Sequence, residues 1–178
     1  EYVTNDATIA SGCKWLCGSR IPTIYGSLSS NLHIKGVDLS ALFTYSLGGK
    51  IYDSTYRSMM EPSYVGQTYH VNSLRAWTEA GQITDVPKVT TTATTVINDR
   101  FLIDASYFSI KSVSAGYTFR SASLEKYHIR SLRLYASGDN LLMLSALKGL
   151  NPQSSFSGST SYTYTPNRTV SLGVDIKF

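Results

Sequence analysis

Charged residues, proline, cysteine and long hydrophobic runs are all scarce in this chain of 178 residues. Charged residues make up 16% of it, compared with roughly 25% in a typical soluble domain. The net charge is only +4 and no run of lysine or arginine forms a stripe, which argues against nucleic acid as a partner. No stretch of 18 apolar residues occurs, so the sequence contains no transmembrane helix.

Serine, threonine, tyrosine and glycine are abundant instead. The chain has 13 tyrosines and 13 glycines, and it has no long blocks of alanine, leucine and glutamate. This composition favours strands over helices. A membrane location stays open, because barrels that cross a membrane alternate apolar with polar side chains and have a near-neutral average hydropathy.

Apolar and polar residues alternate with a period of two in five segments. In the last segment, apolar residues at every second position from Val170 to Phe178 alternate with polar or small residues from Thr169 to Lys177. Such alternation predicts strands with one apolar and one polar face. The predicted strands cover residues 24–35, 37–47, 105–119, 131–138 and 169–178.

Two local features set the register of these strands. Lys35 and Gly36 predict a tight hairpin turn between the first two strands. In the third strand the apolar residues lie on even positions up to Ile110 and on odd positions from Val113. The change predicts a β-bulge near Lys111, which inserts one residue and restores the facing.

Alternation alone does not separate a membrane barrel from a soluble sandwich. The predicted strands of about 9–13 residues are close to the 9–11 that cross a bilayer at a tilt. Connections are short near Gly36 and at about 120–130, and long at about 48–104 and 140–168, as expected of periplasmic turns and extracellular loops on opposite rims of an outer-membrane barrel. Both features favour an all-β fold, a segment of a transmembrane antiparallel β-barrel.

This interpretation divides the chain into six parts. An extracellular loop, a barrel hairpin, a long extracellular loop with a short helix, two barrel strands joined by a periplasmic turn, a second extracellular loop and a last barrel strand follow one another. Their bounds are 1–22, 23–47, 48–104, 105–139, 140–168 and 169–178.

The last strand resembles the C-terminal β-signal that the barrel-assembly machinery recognises in outer-membrane proteins. The pattern is carried by Gly173, Ile176 and the terminal aromatic Phe178. The resemblance implies that the assembly machinery is a partner and that the C-terminus is periplasmic. The first six residues, EYVTND, have neither the basic start nor the apolar core of a signal peptide. We therefore expect that a signal peptide was removed or that the chain is part of a longer protein.

Longer motifs resemble the C-terminal region of SusC/RagA-type TonB-dependent transporters. The strongest are Ala105–Phe119, which reads ASYFSIKSVSAGYTF, and Leu132–Leu142, which reads LRLYASGDNLL. Weaker ones precede and follow them in the same order, from Ile21 to Phe178. The resemblance implies that these are the last five or so strands of a barrel of roughly 22 strands plugged by an N-terminal domain.

The same resemblance implies the location and the partners. A multi-pass barrel in the Gram-negative outer membrane contacts lipid, a SusD-like surface lipoprotein and, through an N-terminal part absent here, the TonB complex. Family members import large nutrients such as oligosaccharides or peptides. We therefore expect a nutrient importer, and the alternative is a secreted all-β, lectin-like module that binds glycans, with a closed core and no membrane.

Catalytic and metal sites are not indicated. The histidines His33, His70 and His128 have no acidic or cysteine companion at ligand spacing, and no G-x-S-x-G elbow or Ser/His/Asp set occurs. The chain is predicted to be neither an enzyme nor a cofactor-binding protein. An outer-membrane enzyme barrel would need a catalytic Ser/His pair on one strand face, and none is visible.

Cys13 and Cys17 enclose Lys-Trp-Leu in the first loop. A disulfide between cysteines four residues apart requires a turn, and the predicted extracellular side permits oxidation. A local disulfide and two free thiols are both open.

The long loop is rich in aromatic side chains, and it also predicts a helix over Val71 to Gly81 that ends at the glycine. The aromatic side chains either stack on sugar rings and contact the lid, or pack the loop's own core. The candidate substrate or lid contacts are Tyr52, Tyr64, Tyr69 and Trp77.

Overall fold

Five long strands form one antiparallel sheet in the computed structural model, which describes residues 12, 15–61, 66–89, 97–121, 124, 126–154, 156–160 and 164–178. The sheet order is β1-β2-β5-β6-β7, and β3 and β4 form a separate two-stranded sheet. In the described residues, no helix has the length and apolarity to span a membrane. The all-β fold predicted from the alternation is confirmed. The strands are β1 (Ile24–Ile34), β2 (Val37–Leu47), β3 (Lys50–Tyr52), β4 (Leu102–Asp104), β5 (Tyr107–Phe119), β6 (Ser131–Ser145) and β7 (Thr169–Lys177).

Most of the described helical structure lies in the connection between β3 and β4. An α-helix, α1, covers Ser54–Met60. Two 3₁₀ helices follow at Val71–Arg75 and Asp99–Phe101. One long connection therefore holds all the helices of the named elements.

The register of the sheet sorts its side chains into two faces. One cross-strand row runs through Leu32, Leu39, Ala115, Ala136 and Leu172, all of them apolar. These residues belong to the apolar face, which is exposed on β7, with Leu172 at 85% of its full accessibility, and partly exposed on the central strands. A continuous exposed apolar surface of this kind needs a partner.

The adjacent row belongs to the opposite, polar face. It runs through Asn31, Ser40, Ser114, Ser137 and Ser171. The hydroxyl groups of Ser40 and Ser114 lie 2.7 Å apart and form a hydrogen bond across the strands. Small hydroxyl side chains thus cover this face where the other face carries leucine.

The predicted hairpin turn is confirmed. Ile34 pairs with Val37, which leaves a two-residue loop. Lys35 and Gly36 have φ values of 47° and 88°, the left-handed pair of a type I′ turn. A Cβ on Gly36 would lie 2.8 Å from the Thr118 carbonyl oxygen, so this position also requires the small residue.

The predicted bulge is confirmed as well. The pairing of β2 with β5 shifts between Leu42 and Phe43, and Lys111 has no partner in β2. Ile110 and Val113 consequently pair with apolar residues of β2 on the same face of the sheet. The extra residue lets one face stay apolar although the sequence changes parity.

The predicted end of the fourth strand near Gly138 is wrong, because β6 continues to Ser145. Asn140 adopts a φ of 51°, and two residues of β6 bulge opposite Lys111 before Leu142 pairs with Ile110. The turn-forming residues therefore make a bulge instead of a turn. The second loop begins at residue 146 and not at residue 140.

A tyrosine of β6 packs over a glycine of β7 on the polar face. Tyr135 and Gly173 are direct cross-strand partners, and a Cβ on Gly173 would overlap the ring of Tyr135. The guanidinium carbon of Arg133 lies 4.8 Å from the centre of the same ring, within cation–π range. Because Gly173 has no side chain, the Tyr135 ring can lie over it where β7 pairs with β6.

Gly173→Val is expected to destabilise the full-length protein by about 1–3 kcal/mol, because the new side chain overpacks the site of the Tyr135 ring. Urea unfolding in detergent micelles measures the free energy. Ser171→Val is the matched control, since it adds the same side chain to the same strand and face opposite the small Ser137. An equal cost for Gly173→Val in a Tyr135→Ala background would contradict this explanation.

Candidate functional site

The buried apolar core lies in the long connection and not in the sheet. Phe101 is 1% exposed and clusters with Met60, Ala76 and Val86. The partly buried rings of Tyr52 and Tyr56 pack against this cluster, with the ring of Tyr56 edge-on to that of Phe101 at 5.8 Å. We call residues 50–61, 66–89 and 97–104 the loop unit, since they fold around this core.

The local sequence explains how α1 begins in the loop unit. The carboxylate of Asp53 accepts a hydrogen bond of 2.9 Å from the Tyr56 backbone N–H and caps the helix. The backbone N–H of Asp53 donates to the Phe101 carbonyl at 2.8 Å, which joins the helix start to the core. Arg57 and Glu61 form an ion pair one turn apart, at 2.9 Å.

The predicted helix from Val71 to Gly81 is wrong in length. A 3₁₀ helix ends at Arg75, and Ala76 is extended with ψ at 146°. The backbone N–H of Trp77 donates to the Val86 carbonyl at 3.0 Å, so the chain turns back on itself. Gly81, with a φ of 91°, serves that turn.

The structure separates the candidate aromatic contacts into two groups. Tyr52 packs against the core, and burial raises the pKa of its phenol. Tyr69 and Trp77 are each 37% exposed, which leaves their rings accessible. Tyr64 lies outside the described residues. A binding role stays a prediction for Tyr69 and Trp77, whereas packing accounts for Tyr52.

The remaining predicted positions lie apart from the loop unit. The exposed Cys17 donates its thiol to the Trp15 carbonyl at 3.7 Å. Cys13 lies outside the described residues, so the disulfide stays a prediction. Ile176 pairs with Leu132 on the apolar face, and Phe178 follows β7 with its ring exposed.

The second long connection packs against the loop unit. Tyr52 donates its backbone N–H to Gly158 at 2.8 Å and accepts from Thr160 at 2.9 Å. Arg20 reaches the same connection, where its Nη2 donates to the Pro152 carbonyl at 2.6 Å. The segment before β1 and both long connections are therefore held together at one end of the sheet, which we call the long-loop rim.

Two cavities lie where the second connection meets its neighbours, and sequence reasoning missed both. One, of about 340 Å³, lies between Asp53, Thr55 and residues 147–151. The other, of about 390 Å³, lies beside the end of β6 and is lined by Lys111 and Arg168. Neither Tyr69 nor Trp77 lines them. The one sequence feature that pointed to either cavity was the predicted bulge at Lys111, which lines the larger one.

An ionic cluster lies on the polar face toward the short turns. Arg133 donates from Nε to the Asp38 carboxylate at 3.1 Å, and its Nη1 lies 3.7 Å from Asp175. A Cβ on Gly116 would lie 2.7 Å from the Asp38 carboxylate, so this glycine makes room for the pair. The cluster joins β2, β6 and β7 across β5. Within the described part of the chain, no group of three metal-binding side chains occurs.

No protein-family model matches this sequence. Two curated relatives, TonB-dependent receptors P3 and P26 of Formosa agariphila, align with it at 26% and 22% identity. The alignments cover 96% and 97% of this chain but only 18% and 19% of the relatives. The chain thus spans less than a fifth of the length of the curated relatives it matches.

Solved structures show the same relationship. The RagAB peptide importer in its closed-closed state superposes with a TM-score of 0.76 and 26% identity, over 92% of this chain and 18% of the solved chain. Another structure of the RagAB peptide transporter gives a TM-score of 0.74 and 27% identity, with the same coverage of both chains. The predicted resemblance to SusC/RagA-type TonB-dependent transporters is confirmed in sequence and in fold. These relatives are receptors and transporters and not enzymes, in agreement with the prediction for this chain.

Phe101→Ala is expected to unfold the loop unit locally, because truncating a buried phenylalanine costs about 3–5 kcal/mol. Limited proteolysis of the full-length protein should then cleave between residues 50 and 104 while the barrel stays intact. Ile83→Ala, at a fully exposed position of the same unit, is the control and should not change the cleavage. A Phe101→Ala protein as resistant as the wild type would show that the core does not hold the unit together.

Arg133→Met is expected to lower the free energy of unfolding slightly, because the partly exposed Asp38 loses its counterion. Denaturant unfolding in micelles gives the value, and the double variant with Asp38→Asn should cost less than the sum of the single changes. Arg75→Met is the control, since its contact with Asp85 is 3.7 Å long and exposed. Additive costs would rule out the coupling.

Proposed function

We propose that this chain is a barrel segment of a TonB-dependent outer-membrane importer of large nutrients, to which it supplies barrel wall and extracellular loops. The observation that carries the proposal is the sheet with one continuous apolar face and one polar face. The apolar face contacts lipid and the polar face lines the lumen, as in membrane barrels. The similarity to TonB-dependent receptors over nearly the whole chain supports the same function.

Strand length fits a membrane. β1 and β2 each have 11 residues, which at about 3.3 Å per residue and a tilt of about 45° span about 26 Å along the membrane normal. The apolar band of outer-membrane barrels is about 25 Å tall. The two values agree.

The alternative, a secreted lectin-like module, requires a closed core. In the described part of the chain, the five long strands contribute no buried apolar side chain, and the buried apolar residues lie in and beside the loop unit. The residues that the structure describes form no second layer over the exposed apolar face. The importer is therefore the better proposal.

The orientation follows from the loops. The long-loop rim faces the cell exterior, and the hairpin turn at Lys35 and Gly36 faces the periplasm together with the end of β7. Partners of the whole protein are then a SusD-like lipoprotein over the long-loop rim and the TonB complex, which acts through a part of the protein beyond this segment. The barrel-assembly machinery recognises β7 through Gly173, Ile176 and Phe178.

The substrate is an oligosaccharide or a peptide. The exposed rings of Tyr69 and Trp77 offer stacking surfaces at the long-loop rim, and the two cavities beside the second connection open at the same end. The name of the RagAB peptide importer supports a peptide as one of the two substrate classes.

Cysteine labelling of intact cells tests the orientation. Leu74 lies in the loop unit and Tyr127 in the connection between β5 and β6, and both are exposed. In a background with Cys13→Ser and Cys17→Ser, an impermeant maleimide should label Leu74→Cys on intact cells. Tyr127→Cys should react only after the outer membrane is permeabilised. Labelling of both positions on intact cells would contradict the proposal.

Deletion of the whole gene tests the transport function. The deletion strain should lose growth on at least one oligosaccharide or peptide nutrient that the parent strain uses, and plasmid complementation should restore it only in cells with an active TonB complex. Growth equal to that of the parent on every such nutrient would argue against an importer.

A further inference from the structure

Among the described strands, the outermost part of β6 has a neighbour on one side only. β6 pairs with β5 as far as Ser145, but its pairing with β7 ends where Asp139 meets Thr169. Beyond that point, no backbone hydrogen bond from residues 140–145 to the described part of the second connection occurs. We call residues 140–145 the free edge, since alternate N–H and C=O groups there point away from β5.

A cavity of about 390 Å³ lies along this free edge. Its walls come from β6, from residues 149–151 and 165–168 of the second connection, and from Ser109 and Lys111 of β5. The side-chain amide of Asn140 donates to the Asn167 carbonyl at 3.5 Å, which fixes the connection beside the edge. The volume falls within the range of small-ligand pockets.

The charge of the cavity is positive. Lys111 and Arg168 line it, and no aspartate or glutamate does. Neither cation forms an ion pair with a described residue. The amide side chains of Asn140, Asn151 and Asn167 add polar groups but no charge. The site is therefore suited to an anionic group.

We propose that the free edge and this cavity bind a short extended peptide, with a carboxylate of the peptide held by Lys111 and Arg168. This inference rests on the proposed import function and assigns a substrate class to it. A peptide adds to an exposed strand edge through its own backbone, with pockets beside the edge receiving side chains or the terminus. A carboxylate in the cavity accepts charge-assisted hydrogen bonds from Lys111 and Arg168, and an arginine can donate two such bonds to one carboxylate.

A peptide accounts for both features together. An oligosaccharide with uronic acids would satisfy the two cations, but it has no backbone amides to pair with a strand edge. A neutral peptide would pair with the edge but would leave the cations without a partner. The free edge therefore favours a peptide, and the charge favours one with an accessible carboxylate.

Binding to the purified full-length transporter tests the charge. The probe is a fluorescein-labelled hexapeptide of alanine and threonine with a free C-terminal carboxylate, measured by anisotropy beside the same peptide with a C-terminal amide. Wild-type protein should bind the carboxylate form more tightly, and Lys111→Gln or Arg168→Gln should weaken its binding roughly tenfold. Lys111→Arg should retain most of the affinity, and the amide form should be insensitive to all three changes.

Lys88→Gln is the matched control, because it removes the same charge from a residue of the loop unit that lines neither cavity. Its affinity for both peptides should equal that of the wild type. Equal binding of the two peptides by the wild type, or no binding of either, would overturn the proposal. So would unchanged affinity in both cavity variants.

Backbone methylation of the peptide tests the strand edge. In a bound strand, alternate amides donate to the partner strand. Two hexapeptides with N-methyl groups on the odd or on the even amides should therefore differ, one binding as the parent does and the other losing most of its affinity. Equal binding of the two methylated peptides would overturn the assignment to the edge, even if the charge dependence held.

Uptake separates this inference from the proposed function. A uronic-acid oligosaccharide that binds in place of the peptide, with the same sensitivity to Lys111→Gln, would overturn the peptide assignment and leave the importer intact. A gene deletion without effect on any nutrient would instead remove the importer itself. In cells, Arg168→Gln should lower peptide-dependent growth, while Lys88→Gln should not.

Discussion

The architecture depends on one constraint, the antiparallel cross-strand pairing of five strands whose side chains alternate with a period of two. Because the bulge at Lys111 adds one residue to β5, the apolar residues Ile110 and Val113 reach the same face of the sheet on either side of it. A slip of one residue would place serine and asparagine against lipid and leucine in the lumen. Paired backbone groups and a purely apolar surface are what a strand needs in hydrocarbon.

The loop unit can vary independently of that constraint. Its core around Phe101 is built from side chains of the long connection alone. Its contacts with the second connection are hydrogen bonds through the Tyr52 backbone and through the side chains of Asp53 and Ser54. The sheet thus holds a folded unit at one rim without sharing a core with it. In the proposed importer, the sheet spans the membrane while the rim presents cavities and exposed rings.

The alternation and the turn residues were enough to predict the five long strands, the turn at Gly36 and the bulge, because each is encoded by neighbouring residues. Asp53 before a short polar and aromatic stretch was a readable start signal for α1, and it was missed. The pairing of β3 with β4 could not be predicted, since it joins Ile51 to Ile103 through a tertiary contact. The end of β6 was predicted too early, because asparagine suits both turns and bulges. Asn140 lies in a bulge, and the strand continues beyond it.

The candidate site was harder to predict for a related reason. Lys111 and Arg168 are 57 positions apart, and only the path of the second connection brings them to one cavity. The aromatic residues chosen from composition divide between core packing for Tyr52 and exposure for Tyr69 and Trp77. Composition identifies a chemical type, but burial decides which members of the type are available for binding.

In the proposed importer, one face of the sheet contacts lipid and the other contacts water. Nitroxide labels placed one at a time along β7, in the full-length protein in bilayers, test this through collision with oxygen and with a water-soluble nickel chelate. We expect an oxygen maximum at Val170, Leu172, Val174 and Ile176 and a nickel maximum at the residues between them. Equal nickel accessibility on both faces would contradict it.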